Sequence, residues 1–379
     1  MKVRTITLGL PGQPDGKTLE WAGKCLGRAV AAFEAAGYTV QTRRIALEHW
    51  DAGLGKVLSK QREELLVLVD FLCAENQIDF CSIGIARDPG QIADLVRILA
   101  KTKRLSASAD LASPERGIHK DSIQAAAEGM CYLAEHTEGS LGNFRFAGGF
   151  CLRPGNPFFP GAYHAAQPAF GIGLENSDLL VKALTQAGSK ERAAEALNEV
   201  LGNEFEKVEE LAGEVSKQLN VAYSGIDTSI APSLAPEESI AKAFQAAGVE
   251  FGSAGTLSLC SVITDVLKKV PVRKTGYCGL MLSILEDTGL AAIAGTGNVR
   301  IADLLSYASV CGVGLDLIPV PGDVKISCLC NLLLDVASLS TKLNGKPLSA
   351  RIVPVPGKRA GEETEFDSPY LCNSRVMRF

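Results

Sequence analysis

The sequence predicts an α/β protein built on a largely parallel sheet, and three observations carry this. Short apolar, β-prone runs alternate with segments of helical period along most of the chain. No linker or shift of composition divides the 379 residues, so one domain over 1–379 is the simplest account. Hydrophobic residues make up 46% and charged residues 21%, a balance that suits a globular chain with a substantial core.

The elements follow in order. Val3 to Leu10 alternates as a half-buried strand and is broken at Pro11-Gly12. Lys17 to Ala36 sets Leu19, Ala22, Leu26, Val30 and Phe33 at helical spacing and stops at Gly37. A strand over 38–47, a helix over 57–76, a strand over 78–86, a helix over 90–103, a strand over 105–111 and a helix over 121–136 continue the alternation. Further on, Phe170 to Leu174 reads as a strand, with Ser177 as N-cap of the next helix. Leu197, Leu201, Phe205, Val208 and Val215 mark one long amphipathic helix from 193 to 219. Strands are expected over 222–232, 313–320 and 348–355, and helices over 236–247, 257–269, 278–291, 299–310 and 324–342.

Residues 144–176 organise the rest. Two strand-like runs flank a segment with Pro154, Pro157, Pro160, Gly155 and Gly161, whose fixed and permitted backbone angles give one defined shape. Phe158, Phe159, Tyr163 and His164 make it too apolar for a solvated connector. It reads either as a loop that builds a binding site or as an aromatic plug that fills space.

Charge and cysteine usage exclude several classes. A net charge of −5 without a Lys/Arg cluster argues against a nucleic-acid partner. Eleven cysteines, an odd number scattered without a Cys-x-x-Cys pair, read as reduced thiols of a cytoplasmic protein. The start reads as a strand rather than a signal peptide, and no apolar run approaches the ~20 residues of a membrane span.

Polar residues in apolar strands carry the chemical reading, because burying them without a partner is costly. Asp227 in Gly-Ile-Asp-Thr-Ser-Ile-Ala-Pro and Asp316 in Gly-Leu-Asp-Leu-Ile-Pro share that context. With His164 they would form an acid/base set if they met in one cavity; otherwise each pins a loop through backbone N–H groups. Asn156, Tyr163, Ser229, Gly255 and Thr256 are candidate substrate-binding residues. The turn Gly252-Ser-Ala-Gly-Thr256 either surrounds an anion or caps a helix. Cys311 is a candidate nucleophile, or an inert thiol like its ten counterparts.

Taken together, Arg4-Thr-Ile-Thr-Leu-Gly9, Asn156-Pro-Phe158, Gly161-Ala-Tyr-His164, Asp227 with Ser229, Gly255-Thr256, Cys311 with Val313-Gly-Leu-Asp316, and Arg351-Ile-Val-Pro354 resemble the uncharacterised pyruvate formate-lyase-like proteins, domain of unknown function 711. The resemblance spans nearly the whole chain. It implies a ten-stranded α/β barrel like that of glycyl-radical enzymes, with helices outside and a loop reaching in. Two departures limit what carries over. Ala254 stands where family members often have histidine, so a two-histidine metal site built from that turn and His164 is not expected. The C-terminal Ser374-Arg-Val-Met-Arg-Phe379 has Arg378 where a radical loop requires glycine, so no glycyl-radical chemistry is expected. The expectation is a non-radical lyase, transferase or hydrolase acting on a small polar or anionic metabolite, its cofactor undefined. The alternative is a metabolite-binding or regulatory protein without turnover. An apolar face left exposed on the 193–219 helix would support a homodimer, which the sequence does not decide.

Overall fold

The computed structural model describes residues 1–12, 14–49, 52, 59–165 and 167–379. Strand β1 (Lys2–Gly9) leads to helix α1 (Gly16–Ala35), β2 (Val40–Ala46), α2 (Ser59–Glu75), β3 (Phe80–Ala86) and α3 (Pro89–Lys101). Then come β4 (Leu105–Ser113), the short β5 (Gly117–Ile118), α4 (Lys120–His136) and β6 (Phe146–Phe150). The second half supplies β7 (Ala169–Glu175), α5 (Ser177–Ala187), α6 (Ala193–Leu219), β8 (Ala222–Asp227), α7 (Ile240–Ala246) and α8 (Thr256–Lys269). It ends with α9 (Thr288–Thr296), α10 (Ile301–Ala308), β9 (Gly314–Pro321), α11 (Ile326–Lys342) and β10 (Leu348–Val355).

All ten strands join one sheet in the order β8-β7-β1-β2-β3-β4-β6-β10-β9, with β5 added on β4. Strands β1, β2, β3, β4 and β6 run parallel as a first half-sheet. The pairs β7–β8 and β9–β10 flank it, each internally parallel but joined antiparallel at β1–β7 and β6–β10. The mixed α/β class holds, but the sheet is not closed, and β8 and β9 are its edges. Between those edges the segment 274–283 makes only single bridges, Ile226–Lys274, Ile230–Leu280 and Ser283–Asp316.

The two faces of the sheet differ because successive strand residues point to opposite sides. Val3, Ile6 and Leu8 share one buried apolar cluster with Leu19, Leu26 and Phe33 of α1. The opposite face carries Thr5, Thr7, Thr42, Arg44, Ser82, Ser106 and Ser108, all buried. The proline-rich loop covers it: the Thr7 hydroxyl donates to the Pro157 carbonyl at 2.7 Å and the Ser82 hydroxyl to the Ala162 carbonyl at 2.5 Å. Helix α6 turns Leu197, Leu201, Phe205, Val208 and Val215 inward, so its apolar stripe belongs to the core.

Three local expectations change. The helix expected over 57–76 is described from Ser59 to Glu75, and residues 57 and 58 lie outside the described residues. The helix expected over 278–291 is instead an extended stretch, a short 3-10 turn at Ile284–Glu286 and then α9. Its start cannot be helical because Gly279 lies against Gly312 so closely that an added Cβ would sit 2.0 Å from the Gly312 Cα. Ser177 lies inside α5 rather than at its cap; Asn176 takes the cap position and its Oδ1 accepts from the Ala231 N–H at 3.1 Å instead.

Candidate functional site

A cavity of about 50 Å³ opens where the polar face of the sheet meets the loop, and Arg4, Arg44 and Arg351 are in its wall with Glu286 and Asp316. Two β-bulges aim these groups. On β1 the register against β7 slips between Val3 and Thr5, so Arg4 is the extra residue. On β9 it slips between Leu315 and Ile318 opposite Arg351, leaving Asp316 and Leu317 against one partner, with Leu317 at φ 47°. A bulge turns a side chain off the regular alternation, and here both redirect charge into the cavity.

Most of that charge is paired. Arg351 holds Asp316 by a fork, Nε to Oδ1 at 2.5 Å and Nη2 to Oδ2 at 2.8 Å, and reaches Glu286 at 2.9 Å. Arg4 donates to Glu286 at 3.2 Å and to the Pro232 carbonyl at 2.5 Å, and lies 3.0 Å from Glu175. Lys2 shares Glu175 at 2.9 Å. Burial pushes the Glu286 carboxyl up, but the Arg351 and Arg4 charges outweigh it and hold it below the ordinary carboxylate range.

Arg44 is the exception. It is 6% exposed and has no carboxylate partner among the described residues. Its Nε donates to the Thr42 hydroxyl at 2.8 Å, and its guanidinium lies 4.4 Å from the Phe159 ring centroid and 5.5 Å from that of Phe80. Burial, reinforced by the Arg4 charge, pushes the group down to about 9. The aromatic wall continues through Phe144, edge-on to Phe159 at 5.2 Å, and Tyr370, stacked on Phe144 at 5.6 Å. Tyr277 completes the polar lining; burial raises its hydroxyl, which lies by Ser349.

The residues singled out from sequence separate into several places. Asp316 lies in the cavity wall, already held by Arg351. Asp227 is fully buried and accepts from the Ser229 N–H and hydroxyl and from the Tyr277 and Cys278 N–H groups, so it fastens the 274–283 segment behind the cavity. His164 packs on Gly9, where a Cβ would meet its ring at 2.1 Å, and its Nε2 bonds the Gln167 carbonyl at 2.8 Å. Neither His164 nor Asp227 lines the cavity. Asn156 accepts from the Phe158 N–H, and Tyr163 donates to the Leu152 carbonyl.

The turn before α8 lies elsewhere. Thr256 accepts from the Gly252 N–H at 3.0 Å, and Gly255, at φ 103°, occupies the N-cap position. The buried Cys311 thiol is pushed up to about 11 by desolvation, which keeps it protonated near neutrality. All eleven cysteines are free, and no three metal-ligating side chains cluster among the described residues. No helix of the described residues is long and apolar enough to cross a membrane.

The sequence reading gave no site role to Arg4, Arg44, Glu286, Tyr277 or Arg351, although Arg4 and Arg351 stand in the stretches that carry the family resemblance. The rule that selected Asp316, a charge inside an apolar strand, also selects Arg351 in Leu-Ser-Ala-Arg-Ile-Val-Pro-Val. Arg44 was signalled more faintly, by sharing the period of Thr42.

An α/β sheet with one apolar and one polar face, the latter closed over a charged cavity, is the class of protein these features define. The chain belongs to the uncharacterised ACR family, domain of unknown function 711, whose profile matches residues 1–368. It is 32% identical over 283 residues to a UPF0210 protein of Carboxydothermus hydrogenoformans, covering 71% of this chain and 62% of that relative. It is 29% identical over 330 residues to a UPF0210 protein of Methanocaldococcus jannaschii (83% and 70% covered) and 27% identical over 403 aligned positions to one of Halothermothrix orenii (97% and 88%). The chain thus spans a little under two thirds of the first of these.

Proposed function

We propose that the protein binds a small anionic metabolite in the Arg4–Arg44–Arg351 cavity and acts on it there without radical chemistry. Arg44 carries the reading. A buried guanidinium without a carboxylate is expensive, and an anionic occupant removes the expense. Tyr277, kept protonated by burial, is in the same wall and can donate a hydrogen bond to that occupant. We also read the 274–283 segment as an irregular stave between β8 and β9, supported by its three single bridges, which would make the polar face a barrel interior.

The second reading is binding without turnover. It is favoured because Asp316 and Glu286, the carboxylates in the wall, are both occupied by arginines and neither is free to act as a base.

Native mass spectrometry of the purified protein, followed by a thermal-shift screen of small anions on wild type, Arg44→Gln and His164→Ala, tests the site. A bound anion stabilises the folded state by mass action. The stabilisation is expected in wild type and His164→Ala and lost in Arg44→Gln. The reverse pattern would move the site to the base of the loop at His164.

A further inference from the structure

We propose that Ser113, activated by His119, is a nucleophile for acyl transfer from carboxylic esters, at a second site independent of the Arg44 cavity, whose wall contains neither residue. The pair lies at the carboxyl end of β4, on the edge of the sheet where the parallel strands β1, β2, β3 and β6 also end. Open α/β sheets bind ligands at that edge. The Ser113 hydroxyl is 3.2 Å from His119 Nε2, and the imidazole Nδ1 is 2.9 Å from the Asp110 carbonyl oxygen. A carbonyl only accepts, so Nδ1 carries the proton and Nε2 presents its lone pair to the hydroxyl. The Arg116 N–H donates to the same hydroxyl oxygen at 3.3 Å, which leaves the Ser113 proton for Nε2. The Arg116 guanidinium lies 3.4 Å from Nδ1, but it and Arg87 turn to the Asp110 carboxylate, at 3.3 and 3.9 Å, and leave that nitrogen to the carbonyl. The same carboxylate, 3.8 Å from Nδ1, offsets the charge of the imidazolium that forms when Nε2 takes a proton.

Closing the hairpin does not require this pair. Backbone pairing of Ala112 with Ile118 and of Ser113 with Gly117, and the His119 N–H donating to the Leu111 carbonyl at 2.9 Å, already hold β5 on β4. Exposure is divided as a nucleophile and its base require: the imidazole is 8% exposed, and Ser113 is half-buried. In the reaction the Ser113 oxygen attacks the ester carbonyl carbon as its proton passes to Nε2. The tetrahedral intermediate expels the alcohol, which takes that proton, and leaves an acyl group on Ser113. Water, giving a proton to Nε2 in turn, attacks the acyl carbon; the carboxylic acid departs and the proton returns to Ser113.

A fluorophosphonate reads the serine directly: the Ser113 oxygen displaces fluoride from phosphorus, and peptide mass spectrometry locates the adduct. In the wild-type chain Ser113 is expected to label at least about tenfold faster than Ser253, an exposed serine whose hydroxyl donates only to backbone carbonyls. Labelling of Ser113 no faster than that of Ser253 would overturn the proposal, and this comparison needs no variant to fold. His119→Asn keeps a donor for the Asp110 carbonyl and removes the base, so it is expected to slow labelling of Ser113 by about a hundredfold. An unchanged rate in that variant, with the fold retained by circular dichroism, would equally overturn the proposal. p-Nitrophenyl acetate is expected to be hydrolysed at least about tenfold faster by wild type than by Ser113→Ala. Equal rates would overturn the ester as substrate.

Discussion

A single unpaired guanidinium sets the energetics of the cavity. Burial, reinforced by the Arg4 charge, pushes Arg44 down from its ordinary value to about 9, a displacement equivalent to several kcal/mol at about 1.4 kcal/mol per unit. Because the folded value is the lower one, the group destabilises the fold fully below about 9, and the penalty fades as pH rises above it toward the ordinary arginine value. Arg44→Met is therefore expected to raise the stability of the ligand-free protein by ~1–3 kcal/mol, less the stacking lost over Phe159. Urea unfolding at neutral pH checks the sign, and the gap between variant and wild type is expected to narrow between pH 8 and about 10.5. A destabilised Arg44→Met would mean that an unseen partner already neutralises the charge. Asp227 is the opposite case. It is fully buried with four hydrogen bonds to groups that have no alternative acceptor, so Asp227→Ala is expected to cost ~3 kcal/mol or more. Its hydrogen-exchange signature is expected at Tyr277 and Cys278, whose N–H groups it holds.

At the scale of elements, the strands and most helices were legible because hydrophobic period reports burial on one face, and both halves of the chain keep that period. The loop at 151–164 was legible as an ordered, inward-packing segment from its prolines and aromatics. Its partners were not, because the residues it meets are Thr7, Ser82 and Gly9, which carry no signal until the strands are in register. The 278–291 stretch failed for a related reason. Its apolar run suits a helix locally, and the approach of Gly279 to Gly312 is a long-range fact. The cavity charges were hidden by the bulges at Arg4 and Leu317, since a register slip moves a residue off the face that its sequence parity assigns. The glycines opposite the loop give a direct check. Gly173 lies where a Cβ would sit 2.7 Å from the Phe158 ring, so Gly173→Ala is expected to displace Phe158 and cost ~1–3 kcal/mol. Gly202→Ala, on α6 with open space around it, is expected to be neutral or slightly stabilising in the same denaturation assay.

At the scale of the molecule, the chain returns over its own cavity. After β10 the C-terminal stretch folds back on itself through the Glu363–Arg375 bridge and the Thr364-to-Ser374 bond, and ties to the body from Cys372 to Leu285 and from Met377 to Pro319. This sets Tyr370 across the mouth, 41% exposed and stacked on Phe144. An outer groove of about 540 Å³, lined by Lys103, Arg104, Arg145 and Asp367, shares Phe80, Phe144 and Tyr370 with the inner cavity. Tyr370 therefore separates a groove of ordinary ligand size from a chamber sized for one small group. Anything larger than that group has to displace the tyrosine from its stack. Tyr370→Ala is expected to speed phenylglyoxal modification of Arg44 by about tenfold while lowering stability by ~1 kcal/mol, the loss of one partly exposed aromatic contact. Tyr370→Phe, which keeps the ring, is expected to react like wild type. Equal rates in all three proteins would place the entrance elsewhere on the sheet and leave Tyr370 as a surface ring only.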